Sequence, residues 1–182
     1  MTQDRAYLNE MLNATDETSR LANLRQLFDD NYGGIRDVEF TEEVNNHVHT
    51  IYSFSPYSPT YAAFMARMSG LAAVGSVDHD SISGAHEMMA AGKVLDLGTT
   101  VGCELRVNFN GTRVEGRKLN NPDSVNIAYM VLHGVPADKI RETQYFLVPI
   151  HEARNKRNRA QIERLNDILE PLSLPLLDFT ED

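Results

Sequence analysis

The chain has 182 residues, a net charge of −9 and a single cysteine, Cys103. That length supports one domain with a real hydrophobic core, the acidic balance argues against nucleic acid as the main partner, and the lone cysteine rules out an internal disulfide framework and fits a reducing cytoplasm. No apolar run approaches the length that spans a bilayer, and the polar N-terminus has no apolar h-region, so neither membrane insertion nor export is expected.

Residues 1–34 read as an N-terminal helical extension, and residues 35–182 as the main domain. In "DETSRLANLRQLFDDN" an apolar stripe combines Leu21 and Leu24 with Leu27 or Phe28, Asp16 is a plausible N-cap, and the glycines of "NYGG" stop the helix. From residue 35 strands and helices alternate. "VEFTEEVNNHVHT" holds one or two strands, and "SPTYAAFMARMSG" is a helix opened by Pro59 and closed by Gly70. "LAAVGSVDH" has the small, apolar run of a strand buried on both faces. A helix in "SGAHEMMAAGKVLD" and a strand in "TTVGCELRVNF" follow, with a tight turn at Asn110-Gly111 before "TRVEG". "SVNIAYMVLHGV" is a further strand, and a long helix runs from about Pro149 to Leu169 with Ile162, Leu165 and Leu169 on its apolar face. This alternation predicts a parallel α/β sheet or barrel. Its four or five strands are fewer than a closed barrel needs. The final "LSLPLLDFTED" carries apolar side chains with no further element to cover them, the pattern of a fold that continues beyond it.

Two of the six histidines, His47 and His49, stand two apart in "NNHVHT". Residues i and i+2 of a strand point to one side, so both imidazoles can aim at one point. An isolated His-x-His fits an exposed loop as well as half a metal site. Here His79 ends the next buried strand, in "VDHD", and Glu104 lies in the third, in "GCEL". The C-terminal ends of parallel strands share one rim, where active sites form. Nitrogen and carboxylate donors together suit Zn, Mn or Fe and leave positions open for water. Such a centre also lets an acidic protein take an anionic substrate, because it reverses the local field. Alternation places Cys103 on the face opposite Glu104, as a core residue.

The succession "HVHT…S", "AAVGSVDHD" and "GCELRV" resembles the PHP (polymerase and histidinol phosphatase) family of metal-dependent phosphoesterases, over roughly residues 40–108. The later "EARNKRNRAQIERLNDIL" is similar to an arginine-bearing helix found in many members. The resemblance implies a distorted (β/α)7 barrel, incomplete in this chain, with one to three ions of Mn, Zn or Fe. It also implies metal ligation by His47, His49 and His79 and by a bridging Glu104, and hydrolysis of a small phosphorylated substrate by metal-activated water. Three positions depart from the pattern. Phe54 stands where many members carry an Asp or His ligand. On the strand after Glu104, Tyr129 falls on the family's histidine position, with His133 four residues on as the alternative ligand. The family's last motif, an acidic residue two before a histidine, is absent. A degenerate or fragmentary metal-binding module is the competing reading, and C–N hydrolysis of the amidohydrolase kind a third.

Other polar residues carry blander expectations. His86 and His151 read as surface histidines. Asp78 faces away from His79 and suits a structural or hydrogen-bonding role. Asp80 either caps the next helix or lies beside the metals. The run Arg154, Lys156, Arg157, Arg159 reads first as a solvated helix face and second as a phosphate contact, and Arg106, on the Glu104 side, is a weaker candidate for that contact.

Overall fold

The computed structural model describes residues 2–179. Helices α1 (Thr2–Leu12) and α2 (Glu17–Asp29) lead into strand β1 (Val44–Val48), helix α3 (Pro59–Met68), strand β2 (Ala73–His79), helix α4 (Ala85–Leu95), strands β3 (Gly98–Asn108) and β4 (Ile127–Leu132), and the long helix α5 (Ile140–Leu169). Local chemistry sets the starts of α2 and α3. Asp16 caps α2 by accepting from the Ser19 N–H at 2.8 Å, and Ser58 caps α3 just before Pro59.

The sheet order is β1-β2-β3-β4, a curled half-barrel. Strands β1, β2 and β3 run parallel, with Ala73 level with Gly98 and His79 level with Glu104. The expectation of a parallel sheet fails at β4, which pairs antiparallel to β3. Its connection, residues 109–126, is built of turns and contains no crossover helix, the usual element that returns the chain for parallel pairing. The turn at Gly111 forms (φ +74), but turns rather than a strand follow it.

The core lies between the sheet and helices α1–α4. Leu12, Leu24, Leu27 and Ile35 share one buried cluster with Phe64, Met88, Val101 and Cys103. Across α2, α3 and α4, Glu87 lies almost fully buried and accepts from Arg20 Nε and Nη2 at 2.8 and 2.6 Å, and from the Thr60 hydroxyl at 2.7 Å.

Helix α5 begins at Ile140, nine residues earlier than Pro149 suggested. Buried Ile140 and Leu147 hold its first turns against the domain, and the helix continues through the proline. Among the described residues no helix is long and apolar enough to cross a membrane.

Candidate metal centre

A β-bulge in β1 aims the two histidines. Asn45 pairs with Val74, but the next aligned pair is Val48 with Ser76, so Asn46 and His47 together stand against Gly75. A Cβ on Gly75 would lie 2.9 Å from Asn46 Cα, so only glycine leaves room for the bulge. The Asn45 side chain accepts from the His47 N–H at 3.0 Å and satisfies an amide the bulge takes out of the ladder. Val48 now faces the core, while His47 and His49 face the side of the sheet that carries His79 and Glu104.

On that side His47 Nε2 lies 3.0 Å and His49 Nε2 3.4 Å from one oxygen, Glu104 Oε2. One donor atom from each residue falls within 4.8 Å of the others. Glu104 is only 8% exposed, His49 is half-buried and His47 opens to solvent. Two imidazoles and a buried carboxylate around one point, at the C-terminal ends of parallel strands, form a donor set suited to a divalent transition metal.

Asp78, at the end of β2, supports this arrangement from behind. It is 3% exposed and accepts from the Thr50 N–H and the Thr50 hydroxyl, both at 2.6 Å, and from the Ser53 hydroxyl at 2.7 Å. Ser53 Oγ also lies 3.3 Å from His49 Nδ1. With Nδ1 held by the turn, His49 presents Nε2 to Glu104, the orienting contact that metal-binding histidines use. Burial, followed by the nearby His79, lowers the His49 pKa below the ordinary histidine value. The shift favours the neutral form that ligates.

His79 joins the site through its ring. It stacks on His49 with centroids 4.9 Å apart and planes at 22°, and lies 5.8 Å from the Tyr129 ring. Phe54 covers the other side, 4.4 Å from His49 and 5.4 Å from His79, and is itself 69% exposed. His133 lies elsewhere. Antiparallel pairing puts Tyr129 level with Arg106, toward the rim, and Val131 level with Glu104, so the chain runs away from the rim before reaching His133. The structure thus gathers His47, His49 and Glu104, sets His79 beside them, and leaves His133 exposed past the end of β4.

Helix α5 roofs the rim. Arg154 Nη2 binds Asp80 Oδ2 at 2.8 Å and Arg154 Nη1 donates to the His79 carbonyl at 3.1 Å. Asp80, with φ +52, is therefore neither a helix cap nor part of the donor cluster, and Arg154 is no solvated side chain. Two clefts open on either side of this contact. One of 620 Å³ runs between Phe54 and the α5 residues His151, Asn155 and Asn158. The other, of 430 Å³, reaches Arg106 and Tyr129. His79, Arg154 and Arg157 line both. His86 is exposed on α4, as expected, whereas His151 lines the larger cleft. The spacing of His151, Arg154, Asn155 and Asn158 along one helical face is the signal that could have revealed this polar surface.

No family model matches the chain, and no curated protein does. Two solved structures are similar to it. One is a protein from Bifidobacterium adolescentis provisionally described as a metal-dependent phosphoesterase, 22% identical over 70% of this chain, with a TM-score of 0.55. The other is an amidohydrolase from Chromobacterium violaceum, 22% identical over 69% of this chain, also with a TM-score of 0.55. The match spans 39% of the length of each, and at this identity the shared property is the fold.

Proposed function

We propose that this chain is a metal-dependent hydrolase that binds a divalent Mn, Zn or Fe ion through His47, His49 and Glu104 and cleaves a small phosphorylated substrate. The observation that carries the reading is the meeting of three donor atoms within 4.8 Å on two parallel strands, with His49 oriented by Ser53 and Asp78. A bound ion would supply a water of lowered pKa and neutralise charge on the phosphoryl oxygens. The protein's own part is positional and electrostatic. Asp78 and Ser53 hold His49, and Glu104 keeps its carboxylate between the two rings. Arg154 is already neutralised by Asp80, whereas Arg157 contacts an amide oxygen and Arg106 the Tyr129 ring, so both keep a positive charge to offer an anionic group in the clefts. His79, stacked on His49, is the nearest further donor for a second ion.

The test is elemental analysis of protein produced with Mn, Zn or Fe, followed by turnover of an aryl phosphate and of an aryl amide. Bound metal with phosphate release, both lost in His47→Ala and Glu104→Ala, supports the reading. Full phosphatase activity in either variant overturns it, and amide cleavage alone moves it to C–N hydrolysis. Phe54, an apolar ring over His49 and His79, favours a second reading as a metal-binding module, which metal without turnover would support.

A further inference from the structure

The turn that carries Ser53 and Phe54 is held from two sides. Ile51 N–H donates to the Tyr57 carbonyl at 2.9 Å, closing residues 51–57 into a compact loop. Ser53 points inward, to Asp78 and His49, and Phe54 lies over the His49 and His79 rings. The other loop residues are held by the N-terminal helices. Asn13 Nδ2 donates to the Pro56 carbonyl at 2.9 Å, and Asn13 Oδ1 accepts from the Ser58 N–H at 2.8 Å. The Ser58 hydroxyl donates to the Leu12 carbonyl, and Arg5 donates to the Tyr57 hydroxyl at 3.2 Å. Glu87 and Arg20 lie against Tyr52, whose pKa is raised by burial and then by Glu87. Asn13 is thus a two-point clamp whose amide both donates to and accepts from the base of the loop.

We infer that the C-terminal end of α1 is a positioning element for the metal centre, with Asn13 as its positioning residue acting through loop 51–58. This rests on the metal-binding reading above. Loss of the clamp frees the Pro56 carbonyl and the Ser58 N–H, loosens Ser53, and leaves His49 Nδ1 without a fixed partner. The metal then has to order the loop when it binds, so affinity falls. By linkage, the metal in turn stabilises the docking of α1.

The test compares Asn13→Ala and Asn13→Asp with Leu24→Ala, all in the full chain. Leu24 is fully buried in the same helical segment and, as an apolar core residue, makes no polar contact with the loop, so its truncation controls for destabilisation alone. Two readouts are taken: amide hydrogen exchange at Ile51, Ser53 and Ser55, and the affinity of the apo-protein for Zn or Mn by calorimetry. Asn13→Ala is expected to speed exchange at these amides and to weaken metal binding about tenfold, the low end for residues that orient a ligand. Asn13→Asp, which keeps the acceptor for Ser58 but loses the donor to Pro56, falls between. Leu24→Ala leaves metal affinity unchanged. The inference is overturned if Asn13→Ala matches Leu24→Ala in both readouts, or if loop exchange does not change. A wild-type protein that binds neither ion overturns the metal reading instead, and the exchange comparison then decides the clamp alone.

Discussion

Asp78 receives both hydrogen-bond donors of Thr50, the backbone N–H and the hydroxyl, at 2.6 Å each in a place closed to solvent. A carboxylate at the end of β2 thereby fixes the first residue after the His-x-His strand. Asp78→Ala leaves the buried Thr50 N–H without a partner, at a cost of about 1–3 kcal/mol. It is also expected to weaken metal binding by roughly 10–100-fold with all three donors intact. Urea unfolding and metal titration of the same variant check the two effects separately.

Phe54 sits where its ring meets both His49 and His79. Phe54→His would place a third imidazole against that pair. Because Phe54 is largely exposed, the substitution is expected to cost little stability, below about 0.5 kcal/mol. The expected gain is a second bound ion per chain, read by elemental analysis against the wild type. An unchanged metal count would show that an imidazole at this position does not complete a second site.

The Arg20–Glu87 pair is nearly inaccessible to solvent. Removing one partner leaves a buried charge, so Glu87→Ala is expected to destabilise the fold by about 3–5 kcal/mol, whereas replacing both by apolar residues of similar volume costs far less. Denaturant midpoints of the single and double variants test this.

Burial pushes the Cys103 thiol up to about 11. The native protein is expected to resist thiol reagents at neutral pH and to react fully in denaturant. The sign of the linkage follows from the raised folded value. The thiol's contribution to stability is complete below its ordinary value of 9.0 and is lost as pH rises toward about 11. Cys103→Ala should therefore show a shallower alkaline decline than wild type.

Gly102 lies where an added Cβ would strike the Leu132 carbonyl of β4. Gly102→Ala is expected to disrupt the β3–β4 pairing and withdraw Tyr129 from His79. Loss of thermal stability together with weakened exchange protection along β4 is the measurement.

Much of the first half of the site was legible in the residues. The alternation of His47 and His49, the buried strand ending at His79, and Cys103 opposite Glu104 follow from strand geometry alone. Asp16, Ser58 and Pro59 marked helix starts by local chemistry. What escaped depends on partners far away in the chain. The direction of β4 depends on how residues 109–126, which contain no helix, return the chain, and that direction sends His133 away while bringing Tyr129 in. Pro149 resembled a helix start because its ring suits one, yet buried Ile140 and Leu147 hold helix ahead of it and partly buried Ile150 follows it. Arg154 looked solvated because its partners, Asp80 and the His79 carbonyl, lie more than seventy residues away.

The bulge in β1 makes the centre a matter of parity. Were the ladder regular through Asn46, His47 would pair with Ser76 and both imidazoles would turn into the core, while Val48 would come to the rim. One step of register thus separates the candidate metal-binding surface from an ordinary strand. Deleting Asn46 would straighten the ladder and leave His47 and His49 on their present face, whereas pairing that slips to absorb Asn46 regularly would turn both into the core.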